Sequence, residues 1–146
     1  MTGIVFRRLR TPTERTTARG LLAASGVPAA TSQRHNGEVL FGLWDLAAPD
    51  PAALVAAAAT GPADAGSVEL YSIVVRAGLR HRGLGRRLVA EVADAWRAEG
   101  AQRVVTQLVD GQGPAAGLLA RAGFVAAVDA HGRSAETSEG WLYLEL

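Results

Sequence analysis

Cysteine is absent from the 146-residue chain, and so is lysine. Without thiols there is no disulfide framework, no thiolate metal site and no acyl-cysteine intermediate. Without lysine there is no Walker phosphate loop, which needs Gly-Lys-Ser or Gly-Lys-Thr. Histidine is scarce, and His35, His81 and His131 are scattered without ligand spacing, so no metal is expected. Long apolar runs are missing too. Proline, glycine or charge breaks the alanine-rich stretches well short of the ~18 residues of a membrane span. The arginine-bearing N-terminal segment has no apolar core of the kind a secretory signal carries, so a cytoplasmic location is the expectation. A formal net charge of only +1 gives no basis for general nucleic-acid binding.

What is present fits a globular protein: 49% hydrophobic and 20% charged residues, in a length that suits a single domain over residues 1–146. All fifteen basic residues are arginine, a bias that matches the abundance of alanine and glycine and points to a GC-rich genome. Their placement is uneven. Arg76, Arg80, Arg82, Arg86 and Arg87 crowd into one short stretch around His81, which suggests a local anionic ligand.

Alternation of apolar and polar residues predicts a strand over residues 3–10, and Thr11-Pro12 marks a helix start that fades by Gly26. Asn36-Gly37 precedes a second strand over 38–46. Residues 52–60 read as helix by alanine propensity and as strand by context. Residues 68–75 form the clearest strand. A helix follows over 83–99, with Leu84, Leu88, Val89, Val92 and Trp96 on one stripe and Gly100 at its C-terminal cap. A strand over 103–109, a short helix over 115–121 and strands over 124–128 and 140–146 complete the order, with a polar hairpin loop over 129–139. Alternating strands and helices through residues 68–128 indicate an α/β sheet.

The chemistry concentrates at Arg80-His81-Arg82-Gly83-Leu84-Gly85, between the clearest strand and its following helix. Glycines let a backbone approach a ligand without a Cβ in the way, and a helix start offers free N–H groups with the positive end of a dipole. That combination receives phosphate groups, and Arg80, Arg82 and Arg86 add charge-assisted donors. A dinucleotide fingerprint fits less well, because Arg86-Arg87-Leu88 follows Gly85 with no third glycine.

The strand ending in valine, the Arg-x-x-Gly-x-Gly turn and the amphipathic helix resemble the signature of the GCN5-related N-acetyltransferase (GNAT) superfamily. Downstream, the stretch from Ala115 to Gly123-Phe124 resembles the superfamily's second signature, a short helix closed by Gly-Phe. The resemblance spans about residues 68–125 and implies a GNAT-like α/β fold: a mixed, twisted sheet of about six or seven strands, helices on both faces, and a splayed strand pair for the pantetheine arm. It implies acetyl-CoA as co-substrate, held by the main chain of Ile73, Val74 and Val75, by the N–H groups from Arg80 and His81 through Arg82, Gly83, Leu84 and Gly85 to Arg86, and by Gln112. Gln112 stands where the family usually has asparagine. One N–H at the strand end, assigned to Val75, then polarises the thioester carbonyl. The reaction implied is direct transfer to a primary amine in a ternary complex, and homodimers are common in such a family.

A second departure, after Gln112, qualifies this. The tyrosine that protonates the leaving thiolate is replaced by Leu119, and Tyr143 and Tyr71 are substitutes by residue type alone. Glu69, on the face of Tyr71 in a regular strand, is the first candidate base for the acceptor ammonium, and Asp110 the second. Trp44, Asp45, Glu38 and His35 are candidates for the acceptor pocket. An acyl-CoA-binding regulatory domain of the same fold is the alternative reading, and a nucleotide-binding module a third.

Overall fold

The computed structural model describes residues 3–24, 38–48, 53–62, 66–80, 82–107, 118–126 and 141–146. Among them, seven strands form one mixed sheet in the order β1-β2-β3-β4-β5-β7-β6. These are β1 (Ile4–Leu9), β2 (Val39–Asp45), β3 (Leu54–Pro62), β4 (Ser67–Val75), β5 (Arg103–Gln107), β6 (Val125–Ala126) and β7 (Trp141–Glu145). Every pairing is antiparallel except β4 with β5, where α2 (Leu84–Ala98) makes the crossover. No helix among the described residues is long and apolar enough to cross a membrane.

Each face of the sheet has its own core. On one, Leu84, Leu88, Val89 and Val92 of α2 pack on Phe41, Leu43, Ala56, Ala58, Leu70 and Val104. On the other, Ala18 and Leu22 of α1 (Pro12–Ala24) pack on Leu9, Leu40, Leu54, Ala57, Ala59 and Val74. Burial on both faces explains why β2 and β3 read as continuous apolar runs. It also decides the ambiguous segment. Ala56, Ala57, Ala58 and Ala59 favour helix intrinsically, yet all four are buried in β3 between two paired neighbours. Tertiary pairing outweighs a propensity preference of a few tenths of a kcal/mol per residue.

The two helix starts differ in a way that matters for the site. At α1, the Thr11 hydroxyl accepts the Glu14 N–H at 3.1 Å, and the Glu14 carboxylate accepts the N–H groups of Thr11 at 3.1 Å and Arg10 at 3.2 Å. This reciprocal capping box satisfies the helix end internally, and the Thr11 N–H bond holds the Glu14 carboxyl below its ordinary pKa. At α2, the cap residue is Gly83, no side chain caps it, and the first turn carries no acid. Its donors are left for a ligand or water.

Candidate active site at the splayed strands

Strand β4 parts from β5 after only three residue pairs, Ser67 with Arg103, Val68 with Val104 and Glu69 with Val105. Thr106 and Gln107 still pair with β7 but no longer with β4. One side-chain bond marks the parting point, the Thr106 hydroxyl donating to the Leu70 carbonyl at 2.9 Å. Beyond it, among the described residues, β4 pairs on its β3 side alone.

The direction of the freed groups follows from one bond. The Arg76 N–H donates to the Val55 carbonyl at 2.8 Å, toward β3. In a trans peptide the preceding carbonyl points the opposite way, so the Val75 carbonyl faces the gap. Alternation along an antiparallel strand then turns the main-chain groups of Ile73 and Val75 toward the gap and those of Val74 toward Ala57 in β3. Of the three residues read from the sequence, two open on the gap and the third is engaged in the sheet.

A bulge lies in the middle of β4. Ala59 is opposite Ser72 and Thr60 is opposite Leu70, which leaves Tyr71 as the extra residue. Leu70 and Ile73, three apart, consequently both pack on the α2 face. The Tyr71 ring goes to the α1 face and lies over Gly61. A Cβ at Gly61 would come within 2.8 Å of the ring Cε2 and closer still to the hydroxyl. Burial raises the phenol above its ordinary pKa, and the carboxylates of Glu69 and then Glu38 raise it further. Glu38 is held by Arg19 at 2.6 Å and approached by Arg15 at 3.9 Å. Gly61→Ala is expected to destabilise the protein by about 1–3 kcal/mol, because a rigid ring must move. In thermal unfolding, most of that loss should vanish when Tyr71→Ala is already present. Additive losses would contradict this placement of the ring.

At the open end of the gap, the chain enters α2 through Gly83 at φ 79°, a left-handed conformation that side chains disfavour. A Cβ there would meet nothing within 4 Å. Gly85 also has a packing reason to be small: its Cβ would lie 2.8 Å from Cδ2 of Leu118. Leu84 turns its side chain into the core, so only its main chain is available to a ligand. The arginine cluster divides. Arg76 donates through Nε and Nη2 to the Leu54 carbonyl at 3.0 and 2.8 Å, and Arg87 through Nη2 to the Ile4 carbonyl at 2.9 Å. Both brace the fold. Arg80, Arg82 and Arg86 are exposed around the turn.

The other sequence candidates disperse. Leu119 lies buried in the core beside Phe124, in the helical residues described at 118–121. Tyr143 sits on β7, beyond β5 from the gap, with the Arg103 guanidinium 4.9 Å from its ring centre. Trp44 and Asp45 are at the opposite end of β2 from Glu38, where Arg7 covers the indole at 5.0 Å. His35, His81, Asp110 and Gln112 lie outside the described residues. Arg15, Arg19 and Gly61 were not singled out by the sequence. The i, i+4 spacing of the two arginines was the available signal for the first two.

The chain matches the profile of the Acetyltransferase (GNAT) family over residues 17–124. No curated protein matches it significantly. Among solved structures, an acetyltransferase from Bacillus subtilis in complex with CoA is similar at 16% identity and a TM-score of 0.71, covering 98% of this chain and 99% of its own. The ribosomal-protein-alanine N-acetyltransferase of Escherichia coli is similar at 17% identity and 0.66, with 97% and 93% covered. An aminoglycoside acetyltransferase from an uncultured soil metagenomic sample, in complex with sisomicin, is similar at 12% identity and 0.68, with 83% and 88% covered.

Proposed function

Because the chain belongs to the GNAT acetyltransferase family, we propose that it transfers an acetyl group from acetyl-CoA to a primary amine by direct attack in a ternary complex. The observation that carries this reading is the parting of β4 from β5 beside an uncapped helix start. The Ile73 and Val75 main-chain groups suit the amides of a pantetheine arm, which would lie between the strands as a further strand. The first N–H groups of α2, with Arg80, Arg82 and Arg86, suit the pyrophosphate.

Acetyl-CoA supplies an activated thioester. The Val75 N–H, turned to the gap, polarises its carbonyl as negative charge develops on oxygen. Glu69 takes a proton from the acceptor ammonium, and the freed nitrogen attacks the acetyl carbon as the carbon–sulfur bond breaks. The departing thiolate is a modest base, which suits a site where Leu119 offers no hydroxyl. The second proton shed by the attacking nitrogen neutralises the thiolate through solvent, since Tyr143 lies beyond β5 from the gap. The acceptor amine enters on the α1 face, toward Glu69, Glu38 and the arginines of α1. Solved relatives of this fold act on a protein alanine and on an aminoglycoside, so acceptor class rests on the pocket and not on the fold.

Calorimetry with acetyl-CoA, CoA and ATP tests the donor: saturable binding of the first two and none of ATP is expected. Thiol release is then followed across polyamines, aminoglycosides, amino acids and peptide N-termini. Tight CoA binding with no turnover on any amine would favour the regulatory reading, which the buried Leu119 supports. Absence of CoA binding would sink both.

A further inference from the structure

One arginine of the turn lies on the very group the donor would use. Arg80 reaches back five residues to bring Nε 3.4 Å from the Val75 carbonyl oxygen, the acceptor that faces the gap. The bond is long and solvent-exposed. Its neighbours behave otherwise, since Arg76 and Arg87 are committed to carbonyls of Leu54 and Ile4. We propose that Arg80 determines donor specificity by covering the Val75 carbonyl until a pyrophosphate draws it off, so that phosphate-bearing CoA thioesters are admitted and phosphate-free pantetheine thioesters are disfavoured.

The inference rests on the CoA reading above and deepens it. A guanidinium bonds a phosphate more strongly than a neutral carbonyl, and a helix start gathers that phosphate within reach. A donor carrying the diphosphate exchanges one partner of Arg80 for a better one and exposes Val75 in the same movement. Pantetheine has nothing to offer Arg80. It must displace the side chain from Val75 by competition, and its amide gains only the surplus of one hydrogen bond over another. The selectivity therefore arises from an occupied acceptor as well as from added attraction.

The test measures binding of CoA by calorimetry and of pantetheine by NMR titration to the wild-type chain, Arg80→Ala and Arg82→Ala. Arg80→Ala is expected to bind CoA about tenfold more weakly but pantetheine about two- to tenfold more tightly. Arg82→Ala, which removes a charge without uncovering Val75, should weaken CoA and leave pantetheine unchanged. The opposite signs are what a merely electrostatic role for Arg80 would not produce. Pantetheine affinity that falls, stays the same or remains undetectable in Arg80→Ala overturns the proposal while CoA binding keeps the donor reading standing. A wild-type chain that fails to bind CoA removes that reading itself.

Discussion

Replacing Glu69 by glutamine is expected to lower kcat/KM by about 10²–10⁴-fold near neutral pH, with CoA affinity unchanged. Glu69 stands at the last β4–β5 pair, where the gap opens, and its charge reaches Tyr71 on the α1 face. A carboxylate there meets the acceptor, not the phosphates, so its loss should fall on turnover. The deficit should shrink as the pH approaches the acceptor's own pKa, because a free amine needs no base. A second reading comes from the Tyr71 phenol. Burial raises its pKa first and Glu69 adds to that, so phenolate titration in Glu69→Gln should shift downward toward the ordinary value. The sign for stability follows. With the folded-state pKa raised, the unfolded chain loses its phenolic proton first, so this contribution is complete below about pH 10 and is lost as pH rises further. Wild-type kcat/KM in Glu69→Gln would place the base elsewhere, and a collapse of CoA affinity would make the residue structural.

Gly83→Val should weaken CoA binding by about 10- to 100-fold, the loss of one or more charge-assisted hydrogen bonds to phosphate. Its cost is purely conformational, since no atom lies within 4 Å of the added Cβ and only the positive φ is violated. Strain of about 1–3 kcal/mol is relieved by turning the peptide, which swings the helix-start N–H groups away from the ligand. Gly100→Val is the matched control. Gly100 has φ +91° and equally open space at the other end of α2. It should lower the thermal midpoint comparably and leave CoA affinity intact. Equal losses of affinity in both variants would mean that α2 stability, and not the Gly83 turn, governs binding.

Much of the frame was legible because the strongest elements are locally consistent. The strand ending at Val75, the stripe on α2 and the glycine cap at Gly100 follow from periodicity and backbone chemistry, and the structure has them within a residue or two of their predicted bounds. The short helix was foreseen over 115–121, of which the described residues hold the turn at 118–121. Strand β3 was not decidable, because its signal is tertiary: four alanines say nothing about pairing until β2 and β4 flank them. The site divided along the same line. Gly83 at a helix start is a local feature and was found. The packing of Leu118 against Gly85 was not legible, since the two lie 33 residues apart in sequence. The placement of the Tyr71 ring over Gly61, within reach of the charges of Glu69 and Glu38, depends on register and on one bulge, neither of which the order of residues announces. Equal-looking arginines also hid unequal duties until Arg76 and Arg87 were seen to brace carbonyls across the sheet.

The alanines of β3 have a use beyond filling space. Ala56 and Ala58 face α2, while Ala57 and Ala59 face α1. The strand is thus a shim of minimal thickness that sets the height of each helix above the sheet independently. Enlarging the first pair would lift the helix that starts on the donor side, and enlarging the second would lift the helix that carries Arg15 and Arg19. A chain built this way offers two nearly orthogonal adjustments, one for donor and one for acceptor, written in alternate letters of a single four-residue word.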